Sequence, residues 1–193
     1  MLTVRKLDVA DAATARRWDD FVFACPAATF FHRSSWQQIV RDIFRHPTYF
    51  FYAERDGRIC GVLPLAHIKS RLFCNALVAM PFAVYGGVAT NDAAAASALE
   101  AEARQLAGRL HVDHLEFRNV SQRHADWPTQ NLYVTFRKEI RPEVEENMLG
   151  IPRKQRAMVR KGIKNGLLST VDRDTDRFFA LYADNVHRHG TPA

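Results

Sequence analysis

Apolar and polar positions recur with two different periods along the chain, and each change of period marks an element. Thr3 to Leu7 alternates like a short strand. Ala12 to Ala24 carries Trp18, Phe21 and Val22 at helical spacing, and Cys25-Pro26 ends that helix. A second helix is predicted over Trp36 to Phe44, with Ser34 or Ser35 at its cap and Pro47 beyond its end. Thr48 to Glu54, rich in Tyr and Phe, and Arg58 to Ile68 pair across Asp56-Gly57, a dipeptide suited to a tight two-residue turn. Pro64 interrupts the second of these strands, which favours a bulge or an edge there. Leu77 to Met80 and Ala83 to Val88 read as short strands around Pro81 and Gly86-Gly87. Asp92 to Leu110 is an alanine-rich helix capped by Asn91 or Asp92. Val112 to Arg118 then reads as a buried strand, Asn119 to Pro128 as a polar loop, and Asn131 to Ile140 as an alternating strand.

The remainder is helical in pattern. Pro142 to Gly150 is a short acidic helix, Ile151 to Gly166 a basic one, Leu167 to Val171 a weak strand and Asp174 to His189 a final helix. Phe178, Phe179, Leu181, Tyr182 and Val186 make that last helix too apolar for a fully exposed one, and no strand pattern follows to cover it. The order of elements predicts a mixed α/β sheet with helices on both faces over residues 1–140. Residues 141–193 are then a linker, the basic helix and the truncated, helical start of a second domain.

Charge singles out one stretch. The chain has 27 Lys plus Arg, 21 Asp plus Glu and a formal net charge of +6. Ile151 to Gly166 holds six basic residues and no acid, so the other 21 basic residues balance the 21 acids and the net charge resides here. Pro152 suits a first helical position and Gly166 the position just past the end. Between them Arg153, Arg156, Arg160 and Lys164 form one stripe, flanked by Lys154 and Lys161, while Met158, Val159 and Ile163 offer a narrow apolar edge. Such a stripe points to phosphate, nucleic acid or a membrane surface, and equally fits a solvated basic helix on a connector. Three cysteines without a C-x-x-C pair argue against disulfides or structural zinc. The N-terminus lacks the apolar core of a signal peptide, and the weakly polar run from Leu77 to Ala89 is too short to span a bilayer, so a cytoplasmic protein is expected.

Candidate chemistry is sparse. Phosphate-loop, dinucleotide, H-E-x-x-H and G-x-S-x-G motifs are absent, and so is the [QR]-x-x-G-x-[GA] turn that would cradle an acyl-CoA pyrophosphate. The eight histidines show no ligand spacing that predicts a metal. His114, Glu116 and Arg118 alternate to one face of their strand, as a solvent face of cross-pairing charges or as a polar cleft wall in which Glu116 or His114 accepts a proton. Phe31 to Trp36 reads as the packed beginning of a helix. Tyr85-Gly86-Gly87 permits close backbone approach, by a ligand or by another strand.

Taken in order, several stretches resemble the FemAB-type peptidyltransferases, specifically the bacterial subgroup associated with exosortase and PEP-CTERM exopolysaccharide loci. They are Thr29-Phe30-Phe31-His32-Arg33 with Trp36, Leu63-Pro64-Leu65, Lys69 to Phe73, and Pro81-Phe82 with Tyr85-Gly86-Gly87. Leu115 to Asn119 and Ile151 to Arg156 with Val159 to Gly162 complete the set. The resemblance implies a duplicated GNAT-like fold, the acyl-CoA N-acyltransferase fold. It also implies transfer of an aminoacyl, or other acyl, group to an amine on a cell-envelope or exopolysaccharide-linked precursor. The donor would be an aminoacyl-tRNA or an acyl-CoA, with no resident cofactor. On this reading Arg153, Lys154, Arg156, Arg160, Lys161 and Lys164, with Tyr85 and Gly86, bind substrate. The partners are a phosphate-bearing small or lipid-linked precursor, a tRNA, and a membrane surface held peripherally. The alternatives are an acyl-CoA-dependent N-acyltransferase and a non-catalytic anion-binding module or inactive fragment.

Overall fold

The computed structural model describes residues 1–70, 72, 74–130 and 133–191. They form two compact units, Met1–Pro128 and Thr129–Ala193. The first is a five-stranded sheet ordered β1-β2-β3-β4-β5. Its strands are β1 (Leu2–Lys6), β2 (Thr48–Arg55), β3 (Arg58–Lys69), β4 (Asn75–Ala79) and β5 (His114–Glu116). Helices α1 (Ala12–Ala24) and α2 (Ser35–Asp42) lie between β1 and β2, and α3 (Ala93–Leu110) crosses from β4 to β5. The first four strands run antiparallel, and β5 runs parallel to β4.

Strand alternation divides the core into two layers. Phe51, Ala53, Leu63, Leu65, Leu77 and Ala79 face α3, against Ala95, Leu99, Ala103 and Leu106. Phe50, Tyr52, Val62 and Ala66 face the other way, against Trp18, Val22 and Val40 of α1 and α2. A sheet covered on both sides explains why β3 is buried from Gly61 to His67 without an alternating gap. Trp18 anchors the second layer. It is fully buried, stacks on Phe50 at 5.5 Å and donates its indole N–H to the His32 carbonyl at 2.7 Å.

Pro64 lies in the central strand, not at an edge or a bulge. The bulge is instead at Cys60, which has no partner between the Ala53↔Gly61 and Glu54↔Ile59 pairs. The Phe50 carbonyl accepts from Leu7, on the β1 side. Its partner Pro64 therefore turns its own polar groups away from β2 and towards β4. There the β3–β4 ladder ends at Leu65↔Ala79, and pairing resumes at the Val62↔Ala89 bridge. Pro64 falls between the two, where the missing N–H forfeits no ladder bond, while its carbonyl takes the Met80 N–H at 3.3 Å.

Several expected boundaries shift. Ser34 precedes α2 but its side chain bonds Asp19 instead of capping the helix. Asp92 caps α3. The expected strand over Ala83 to Val88 reduces to isolated bridges at Gly86 and Ala89, and β5 is shorter than Val112 to Arg118. The polar loop after β5 is tied down by Glu100, a buried α3 carboxylate bonded by Arg123 and His124 at 2.9 Å each.

The second unit holds α4 (Val144–Leu149), α5 (Arg153–Lys164) and α6 (Thr175–Arg188), and none of its described residues is buried. Asn131 and Leu132 of the expected strand lie outside the described residues, as do Arg71 and Phe73. Residues 133–140 form no strand, and Tyr133 and Phe136 are each 93% exposed. Alternation makes a segment amphipathic, but a strand exists only with a neighbour to bond. The weak strand over Leu167 to Val171 is absent for the same reason.

A Trp18→Ala chain should lose about 3–5 kcal/mol of unfolding free energy, measured from its urea midpoint. Trp18→Phe should lose less, because ring burial is kept and only the His32 carbonyl is left unbonded.

Candidate functional site

Where β4 ends, the backbone leaves the sheet at Met80 and returns at Gly86. Met80-Pro81-Phe82-Ala83 is a turn closed by the Ala83 N–H on the Met80 carbonyl, with Phe82 at φ +65° in its third position. Pro second and a positive φ third is the type II pattern, which favours glycine third. Holding phenylalanine there costs roughly 1–2 kcal/mol. Pro81 and Ala83 are buried on either side, so the ring of Phe82 projects outward.

Three groups grip this loop. The Arg118 guanidinium donates to the Ala83 carbonyl at 2.8 Å and pairs with Glu116 at 2.7 Å. The Gly86 N–H donates to the Arg118 carbonyl at 3.0 Å. His32, fully enclosed, reaches the Gly87 carbonyl through Nε2 at 3.0 Å, while its Nδ1 accepts the Thr29 N–H at 3.0 Å. A carbonyl only accepts and an N–H only donates, so His32 is the neutral Nε2–H tautomer. Gly86 is required by contact with backbone, whereas a Cβ at Gly87 would meet the end of the Asn119 side chain. A Cβ at Gly86 would lie 2.3 Å from the Met80 Cβ, and one at Gly87 1.7 Å from Asn119 Oδ1.

Leu115 and Phe117 pack towards α3, so alternation sets His114, Glu116 and Arg118 on the opposite face. Of the two candidate bases, Glu116 is beside the loop but engaged by Arg118. His114 pairs with Ala76, about 13 Å along the strand from Arg118. Tyr85 and Gly86 are in the gripped loop itself.

The N-terminus of α3, which follows this loop, is already filled. Asp92 accepts the N–H groups of Ala94 and Ala95 at 2.9 and 3.2 Å and pairs with Arg55 at 2.7 Å. The Ala95 N–H above all, then that of Ala94 and the Arg55 charge, hold its carboxyl below the usual range. A fixed carboxylate occupies the donors that an incoming phosphate would use.

In the second unit α5 is a basic helix with Gly166 at φ +73° just beyond it. Arg153, Lys154, Arg160, Lys161 and Lys164 are exposed, and no ion pair engages them among the described residues. Arg156 differs. Its guanidinium donates to the Leu149 carbonyl at 3.0 Å and to that of Ile151 at 2.9 and 3.2 Å, bracing the turn between α4 and α5. No group of three or more His, Cys, Asp or Glu suited to a metal occurs among the described residues, and no described helix is long and apolar enough to cross a membrane.

The sequence pattern marked Gly86-Gly87 for close approach by a ligand or by another strand. His32, Arg118 and Asn119 are what approach. Each appears in a matched stretch, but only pairing across the sheet brings them together.

No family model and no curated protein matches the chain. Among solved structures it is similar to a GNAT family acetyltransferase from Staphylococcus aureus, at 9% identity and a TM-score of 0.43 over 74% of this chain and 98% of that one. It is also similar to a ribosomal-protein-alanine N-acetyltransferase from Brucella melitensis, at 12% and 0.45 over 70% and 99%. A predicted acetyltransferase from Clostridium acetobutylicum, solved with acetyl-CoA, gives 11% and 0.41 over 68% and 97%. At these identities the likeness concerns the fold.

His32 supplies a pH test. Burial lowers its pKa below the ordinary 6.5, so near that pH the unfolded chain takes up a proton that the folded chain refuses. Its contribution is therefore complete above about pH 6.5 and is lost as pH falls from there through the folded value. Stability measured by urea unfolding between pH 7.5 and 5 should fall more steeply in the parent chain than in His32→Gln.

Proposed function

We propose that the chain is an acyltransferase of FemAB type, moving an aminoacyl group from an ester donor to an amine. One observation carries this reading: matched stretches far apart in sequence converge on a single loop. Pro64 bonds Met80, His32 bonds Gly87, Arg118 bonds both Ala83 and Gly86, and Asn119 packs on Gly87. The loop lies at the carboxyl ends of the parallel pair β4 and β5, where open α/β sheets bind ligands.

In the reaction the amine nitrogen attacks the ester carbonyl carbon, the bond to the donor's sugar oxygen breaks, and the amine proton leaves to a base or water while the departing oxygen is protonated. Glu116, beside the loop, is the better placed proton acceptor, and it serves once substrate displaces Arg118 from it. The filled N-terminus of α3 favours an ester donor over an acyl-CoA whose pyrophosphate would sit there. Arg153, Arg160 and Lys164 of α5 contact phosphates of the tRNA or of the precursor, with Lys154 and Lys161 at the flanks. Arg156 acts as the brace that orients the helix.

Purified chain incubated with aminoacyl-tRNA and a phosphate-bearing amine should consume the aminoacyl ester in an acceptor-dependent way. Turnover with acyl-CoA alone would replace this reading by N-acyl transfer from coenzyme A. Binding without turnover of either donor would leave an anion-binding module. Replacing Arg160 and Lys164 by Ala should weaken tRNA binding and reduce its log–log salt slope by about two. An unchanged slope removes the phosphate role of α5.

A further inference from the structure

Asn165 closes the basic helix α5, and it is the only asparagine in the chain that glycine follows. It is exposed, and no hydrogen bond engages its side chain among the described residues. Its own N–H is held by the Lys161 and Gly162 carbonyls. Gly166 follows at φ +73°, and nothing lies within 4 Å of where a Cβ on it would stand. The Gly166 nitrogen is therefore shielded neither by a side chain of its own nor by one from a neighbour on that side. A free carboxamide next to an unshielded backbone nitrogen can close a five-membered ring.

The surroundings favour that closure. Attack requires the Gly166 nitrogen to give up its proton, and nearby cations stabilise the anion that results. Lys161 and Lys164 are exposed, and no ion pair engages them among the described residues. The Gly166 N–H also has to leave the Ile163 carbonyl, which it meets at 3.0 Å. That bond lies in the last turn of a helix with no buried residue, where local opening costs least.

We propose that Asn165 is a site of spontaneous deamidation that withdraws α5 from anions, a consequence that rests on the phosphate role given to α5 above. The Gly166 nitrogen bonds to the Asn165 Cγ, the bond from Cγ to the side-chain nitrogen breaks, and ammonia leaves with the proton that Gly166 lost. Water then opens the succinimide at either carbonyl, to aspartate or isoaspartate. Either product sets a carboxylate beside Lys161 and Lys164, at the helix end where the dipole is already negative. Isoaspartate also adds a methylene to the backbone of the turn in which Gly166 bonds Ile163 and Leu167 bonds Gly162. The stripe loses net charge and its end unwinds.

The test is to age the full chain in mildly alkaline buffer and map its peptides by mass spectrometry. The Asn165 peptide should gain the mass of an amide-to-acid change and split into aspartyl and isoaspartyl forms before any other asparagine reacts. Asn165→Gln, which would have to close a six-membered ring, should stay unchanged. Asn165→Asp should bind uncharged tRNA with a log–log salt slope shallower by about one. The aged parent should move towards that slope, and aged Asn165→Gln should not. An intact Asn165 after other asparagines have reacted would overturn the site. Deamidation with an unaltered slope would overturn the withdrawal from anions. No tRNA binding by the fresh chain would sink the phosphate role of α5 and the withdrawal with it, while the peptide map still decides the site.

Discussion

A short relay of buried hydrogen bonds ties the first unit together. The Trp18 indole N–H meets the His32 carbonyl, and the His32 ring N–H meets the Gly87 carbonyl. Through two side chains, α1 is joined to the turn before α2, and that turn to the segment that follows β4. Each acceptor is a buried carbonyl that would otherwise be unbonded, so each link is costly to remove and hard to replace. The imidazole is neutral, because the Thr29 N–H takes the lone pair on Nδ1.

The relay also explains why the loop between Met80 and Gly86 can hold an unfavourable backbone. Its start is held by the Pro64 carbonyl on the Met80 N–H, its middle by Arg118 on the Ala83 carbonyl, and its end by the Arg118 carbonyl on Gly86 with His32 and Asn119 at Gly87. A clamped loop can keep a phenylalanine at a position that favours glycine, because relaxation of the turn would break bonds at both ends. Rigidity at the base and an exposed ring at the tip make a preorganised surface, in which little entropy is left to lose when a ligand docks. The second unit contrasts with this. It has helices, caps and a charged stripe, but no buried side chain among its described residues, so its order rests on local bonds such as those of Arg156.

Much of the first unit was legible in the chain itself. The limits of α1, the Asp56-Gly57 turn, the capped α3 and the opposite faces of β5 all follow from local periodicity and turn chemistry. The candidate site was legible only in pieces. Tyr85 and Gly86 stood out for their glycine neighbour and Glu116 for its face, but Arg118 was one more charge on a polar face, and His32 one more residue of a packed turn. Their importance comes from partners dozens of residues away, and single-chain periodicity carries no information about such pairings.

The sequence by itself determined where helices and strands begin, which of their faces are apolar, and where the net charge lies, because these depend on neighbours within a few residues. Only the tertiary structure decided that Pro64 could sit in a central strand, that residues 133–140 would not form one, and that Arg156 would brace a turn while no ion pair among the described residues engages the cations around it. Each of these turns on whether a backbone or side-chain donor finds an acceptor across space. A hydrogen bond between distant residues is a property of the assembled sheet, and the same local pattern is satisfied at one position and left unpaired at another.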